Sequence, residues 1–151
     1  MNEPFSASAL VGGWRLLAWE TRDSAGNVGR PLGDHPEGRL LYSADGLMSV
    51  HMARASREAF REVSGNPFGG GPEQAAAAYR SYLAYSGRYR LDGDTVVHEV
   101  DLSLFPDWVG HSQARRVTLT GSRLVLGIPP QPLVGGGQQT GEVTWLRESP
   151  A

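Results

Sequence analysis

The 151-residue chain contains no cysteine. That excludes a disulfide framework, a thiolate nucleophile and a thiolate metal site. It also contains no lysine, so all 14 basic residues are arginine. A Schiff base to a carbonyl substrate or to pyridoxal phosphate therefore has no side-chain amine to form on. Codon usage in a GC-rich genome accounts for the arginine bias without a functional cause. A strong excess of one sign of charge is lacking too. The formal net charge is −2, with neither the basic stripe of a nucleic-acid binder nor the polybasic run of a membrane binder. No apolar run is long enough to span a bilayer as a helix. The N-terminal stretch "MNEPFSASALVGGW" carries Glu3 where a signal peptide would carry basic residues. A cytoplasmic protein is the resulting expectation.

What is present fits one domain over residues 1–151, with an apolar fraction of 40% to build a single core. Short strands separated by turn signals dominate. Trp14–Glu20 reads as a first strand and Gly38–Met52 as a hairpin. Tyr85–Val100 and Gln113–Ile128 read as two more hairpins, and Glu142–Arg147 as a last strand. The count is eight strands, an all-β chain. One helix is expected over Pro72–Tyr85, where Pro stands at the first helical position and an alanine run follows. Its Ala75, Tyr79 and Tyr82 share a face. A weaker turn is expected near Ser56–Glu62, and the Gly- and Pro-rich stretches Gly65–Gly71 and Pro129–Gly137 read as loops.

Hairpin registers then assign faces, because side chains alternate along a strand. Gly121-Ser122 suits a type II′ turn, which sets Leu119 opposite Leu124 and Val117 opposite Leu126. Arg115 and Gln113 continue that apolar face by twos. A three-residue loop at Ala44-Asp45-Gly46 sets Tyr42 opposite Met48 and Leu40 opposite Val50. His51 falls on the other face. A type I′ turn at Asp92-Gly93 sets Tyr89 opposite Val96 and Gly87 opposite His98. That puts His98 inward, with open space left by Gly87 beside its ring and Val100 and Leu102 continuing the face.

The segment "GGWRLLAWE" has the G-x-W spacing that opens lipocalin-type barrels, and Arg147 lies in the final strand. Together with "GRLLYSADGLMSV", "YLAYSGRYRLDGDTVVHEVDLSLFPDWVG", "QARRVTLTGSRLVL" and "VTWLR", it makes the chain resemble the bacterial and fungal lipocalin-like domain family nearly end to end. The resemblance implies an eight-stranded antiparallel barrel with a short helix between strands 3 and 4. It also implies packing of Trp14 against Arg147 at the closed end. The chain departs from secreted lipocalins in its helix position, in having no helix after the last strand and in having no disulfides, so extracellular transport is not carried over.

Inside such a barrel Tyr89, His98, Gln113 and Arg115 should be neighbours. A buried guanidinium needs a partner. Glu20, on the same parity as Trp14, Leu16 and Ala18, is one candidate; a ligand carboxylate, enolate or carbonyl is the other. A closed polar network that sets the barrel's register is the alternative to a ligand site. His98, Arg115 and Tyr89 are the candidate catalytic residues: His98 to move a proton, and Arg115, with Tyr89 or Gln113, to stabilise negative charge on a carbonyl oxygen. Gln113, Tyr85, Tyr42, Glu20, Met48 and Trp108 are the candidate ligand-binding residues; for Trp108 and Phe105 a place at the mouth stands against ordinary loop packing. No metal is expected, because His35, His51, His98 and His111 lack ligand spacing. No cofactor is expected either.

Three functions suit these residues. The first is a cofactor-free cyclase, isomerase or dehydratase acting on a small, largely apolar metabolite with a carbonyl or acidic group. The second is a non-catalytic carrier of the same kind of molecule. The third is a filled barrel serving as a scaffold, and a homodimer is left open. The volume of the interior separates the third from the others.

Overall fold

The computed structural model describes residues 5–60 and 64–149. Its elements run β1 (Gly12–Asp23), β2 (Val28–Gly29), β3 (Glu37–Tyr42), β4 (Leu47–Ala53), α1 (Pro72–Arg80), β5 (Tyr82–Asp92), β6 (Thr95–Ser103), β7 (Ser112–Thr120), β8 (Arg123–Pro132) and β9 (Gln138–Arg147). All strand pairings are antiparallel. The order follows the chain, and β1 also pairs with β9. That pairing closes β1 and β3–β9 into an eight-stranded barrel and removes the free edges of the sheet. The two-residue β2 lies against Thr21 and Arg22 outside the closure. The helix stands where the sequence places it in the chain; counting β2, it falls between strands 4 and 5.

One end of the barrel is plugged. Trp14 is fully buried, and its indole N–H donates to the Leu10 carbonyl at 2.9 Å. The Arg147 guanidinium covers the Trp14 ring at 4.1 Å and donates to the carbonyls of Val11, at 2.9 Å, and Ala9. Ala9 ends a 3₁₀ turn, Ala7–Ala9, that lies beside Leu10 across this end. The expected Trp14–Arg147 pair is thus present and ties both chain ends to one base.

Two of the three hairpins keep the expected register. Leu119 faces Leu124, Val117 faces Leu126, Tyr42 faces Met48 and Leu40 faces Val50. The central hairpin differs. Its turn is Gly93-Asp94, so Tyr89 rather than Gly87 faces His98. Gly93, at φ +61°, stands first in this turn instead of second. A slide by two residues preserves parity, and His98 stays inward.

Gly87 has a different role from the one the register suggested. The register shifts between Ser86 and Gly87, where β6 carries an extra residue. A Cβ on Gly87 would stand 1.9 Å from the Glu99 carbonyl oxygen. The missing side chain makes room for the bulged backbone of β6, not for the imidazole. Beyond that bulge the alternation reverses: Val100 is buried, but Leu102, expected inward, is 69% exposed.

Helix and loop bounds also move. α1 stops at Arg80, because Tyr82–Tyr85 pair with Val50–Ala53 of β4. Ladder pairing outweighs the helix propensity of the preceding alanines. The expected loop at Pro129–Gly137 is shorter, since β8 runs to Pro132. Pro129 and Pro130 sit at its irregularity between Ile128 and Gln131, where the β8–β9 pairing is interrupted. A turn is present at Ala55 and Ser56, and the rest of the turn expected to Glu62 runs into residues 61–63, outside those described.

Candidate functional site

Adjacent strands β5, β6 and β7 bring Tyr85, His98 and Gln113–Arg115 to the middle of the lumen. His98 is 1% exposed. Its Nε2 lies 2.7 Å from the Tyr42 hydroxyl and its Nδ1 2.8 Å from the Tyr85 hydroxyl. A neutral imidazole has one N–H and one lone pair, so one tyrosine donates and the other accepts. Among the described residues the Tyr42 hydroxyl has no other partner, and Tyr42 does not line the cavity. Tyr42 therefore donates to Nε2, and Nδ1–H donates to Tyr85. Tyr85 does line the cavity, and its own O–H is left free to donate there.

Burial, with the nearby Arg115 cation adding to it, pushes the His98 pKa down to about 3. The ring is neutral at physiological pH. Burial raises the pKa of Tyr42 well above the ordinary phenol value and raises that of Tyr85, with Arg115 opposing in both cases. Both hydroxyls keep their protons.

Arg115 is 8% exposed, and burial lowers its pKa from the ordinary guanidinium value. Its Nη1 donates to the Ala114 carbonyl at 2.8 Å and its Nη2 to Gln113 Oε1 at 3.1 Å. Both acceptors are neutral. No carboxylate among the described residues forms an ion pair with it. Glu20, the expected partner, is outside the barrel and pairs with Arg30 at 3.9 Å. The reason is a register shift between Leu16 and Ala18 that reverses the alternation of β1. Trp14 and Leu16 point in before it. Beyond it Thr21 is buried and Trp19 packs on the core, in place of Ala18 and Glu20.

The lumen holds a narrow cavity of about 40 Å³. His98, Arg115 and Tyr85 line it together with Trp19, Trp108 and Trp145. The indole N–H groups of Trp19 and Trp145 are buried and have no hydrogen-bond partner among the described residues. Trp108, on a 3₁₀ turn after β6, stacks edge-on against Tyr85 at 5.5 Å and Phe105 at 5.7 Å, at the end away from Trp14.

Other expected site residues fall elsewhere. Tyr89 packs on Tyr42 with ring centres 4.7 Å apart and donates to the Ser43 carbonyl at 2.7 Å. It supports the base of the barrel and does not reach the cavity. Met48 is core packing, also away from the cavity. Gln113 holds Arg115. His35, His51 and His111 are exposed. Two tryptophans of the cavity escaped sequence reading. Trp145 shares parity with Arg147 and was legible; Trp19 was hidden by the β1 bulge. A wider groove of about 740 Å³ lies outside the barrel beside α1. Its cation, Arg57, is already engaged with Ser81, the Ala78 carbonyl and the Tyr82 ring.

Comparison with known proteins matches residues 11–148 to the lipocalin-like domain. A curated relative is the 4'-hydroxy-3'-methoxypropiophenone carrier protein ppsC of Aspergillus oryzae. It is 36% identical over 86 residues, which cover 52% of this chain and 78% of the relative.

Proposed function

Because this chain belongs to the lipocalin-like domain family, we propose that it is a carrier that encloses one small aromatic molecule bearing an oxygen acceptor. The observation that carries this reading is the set of unspent donors on residues that line one cavity. Arg115 has neutral partners only, and two buried indole N–H groups have none. Buried donors left unpaired each cost about 1–3 kcal/mol, so a ligand acceptor recovers what the empty barrel forgoes. The walls are aromatic and aliphatic, which suits a planar apolar body. The relative's name supports a ligand of that kind.

A cavity of 40 Å³ is well below the roughly 150 Å³ that accepts a benzene ring in an engineered core. Entry therefore requires the partly buried Trp108, Leu83 and Ile128 to turn aside. The same small volume favours the second reading, a filled barrel acting as a scaffold. A catalytic role for His98 is disfavoured. A pKa near 3 is far from that of an effective general base at neutral pH, and both ring nitrogens are engaged.

The test is equilibrium binding of 4'-hydroxy-3'-methoxypropiophenone, followed by tryptophan fluorescence and by mass spectrometry of the recovered molecule. Saturable binding at micromolar concentration with the compound returned unchanged is expected. Absence of saturable binding favours the scaffold, and conversion of the compound would overturn the carrier reading in favour of an enzyme.

A further inference from the structure

We propose that the cavity takes its ligand as an oxyanion, specifically the phenolate of an acidic phenol, held by Arg115, the Tyr85 hydroxyl and the indole N–H groups of Trp19 and Trp145. The inference rests on the carrier reading and adds the protonation state of the bound molecule.

The argument is a donor–acceptor count. Among the described residues, no Asp, Glu, Asn, Gln, Ser or Thr lines the cavity. Of the polar residues that do, Trp19 and Trp145 are donors only, and Arg115 is a donor bearing a full positive charge. His98 has both nitrogens committed to Tyr42 and Tyr85. Tyr85 accepts from Nδ1–H and has its own proton left to give. Tyr42 starts this chain of hydrogen bonds and His98 passes its direction on, so the two act as positioning residues that leave Tyr85 a donor. A neutral phenol entering such a site brings a proton for which the lining side chains offer only the second lone pair of the Tyr85 oxygen and the weakly accepting Met52 sulfur, and a poorly paired buried O–H is costly. The phenolate brings acceptors only. It also compensates the buried guanidinium in a low-dielectric setting where that attraction is strong. The phenol proton is released to bulk water, because no side chain lining the site takes it.

The charged and titratable groups facing the bound oxygen are Arg115 from β7, His98 from β6 and Tyr85 from β5, with Tyr42 from β3 behind His98. Arg115 is the cation among them, and His98 stays neutral well below physiological pH. The field at the oxygen is therefore positive across the working range, and affinity for the phenol should rise with pH until the free phenol is itself ionised.

The experiment uses the full chain with 4'-hydroxy-3'-methoxypropiophenone and its 4'-O-methyl ether at a pH about one unit below the free phenol's pKa. Ultraviolet difference spectra report ionisation, because the phenolate absorbs at longer wavelength. Calorimetry in buffers of different ionisation enthalpy counts protons. Expected are the phenolate band on binding, release of close to one proton, and binding of the ether weaker by at least about tenfold. Arg115→Met should abolish the band. Tyr85→Phe, which removes one oxygen and keeps the ring packing, should weaken phenol binding severalfold and leave ether binding unchanged. Binding of the phenol with a neutral spectrum and no proton release, or equal binding of phenol and ether, overturns this inference and leaves the carrier reading standing. If neither compound binds, both fall together.

Discussion

The Arg115 guanidinium donates to the Gln113 side-chain oxygen at 3.1 Å, so a buried cation is held by a neutral amide two residues away on the same strand. That arrangement orients the charge without neutralising it. Replacing a buried ion pair by apolar side chains of similar volume is often neutral or stabilising by about 1–4 kcal/mol, and removal of Arg115 leaves no opposite charge stranded. Arg115→Met should therefore leave the thermal midpoint of the ligand-free protein unchanged or raise it, while ligand affinity falls. A drop in stability of several kcal/mol, measured by urea denaturation, would instead identify Arg115 as a structural residue.

His98 makes stability depend on pH in a defined window. The unfolded chain's imidazole takes up its proton below about pH 6.5, whereas the folded one resists until about 3. Unfolding therefore binds a proton between those values. The linked stability is complete above about pH 6.5 and is lost progressively as pH falls to about 3, approaching roughly 4 kcal/mol at the lower limit. Denaturant midpoints for the wild type and His98→Gln should diverge in slope over this range and run parallel above it. Nitrogen-15 spectra should show a neutral ring protonated at Nδ1 with no titration between pH 8 and 5; an observed pKa near 6 would contradict the burial described above.

Two glycine substitutions should part sharply. Gly87→Ala places a methyl group 1.9 Å from the Glu99 carbonyl oxygen, which is backbone and cannot rotate away. A cost of about 3 kcal/mol or more is expected, with the β5–β6 bulge disrupted. Gly127→Ala meets only ordinary contacts, with Arg116 Cβ at 3.6 Å. It should be neutral or stabilising by up to about 1 kcal/mol through lower unfolded-state entropy. Calorimetric midpoints for the two variants check the pair; similar midpoints would mean that the bulge is not where it is described.

Arg147→Met should loosen the plugged end. It removes the cation over the Trp14 ring and two hydrogen bonds to the carbonyls of Val11 and Ala9. A loss of about 2–3 kcal/mol is expected. Amide exchange should speed up first in the 3₁₀ turn at Ala7–Ala9 and at Leu10. Uniform exchange across the barrel would argue against a local clasp.

Period-two alternation and turn chemistry determined the eight barrel strands, two of three hairpin registers, and the inward placement of His98, Gln113, Arg115 and Tyr89. Those signals are local: a glycine two positions from a strand end sets a pairing without knowledge of the rest. The G-x-W stretch and Arg147 likewise carried the Trp14–Arg147 clasp. Only the tertiary structure decided what the bulges did. An extra residue in β1 or β6 costs no apolar residue and leaves no mark in composition, yet it reverses every face beyond it. That reversal moved Glu20 and Leu102 out and brought Trp19 in. It also gave Gly87 a packing role against backbone, and it left Arg115 without the carboxylate that alternation alone had assigned to it. Whether a buried charge meets an opposite charge depends on which strands curve toward each other, and closure of the whole barrel sets that curvature.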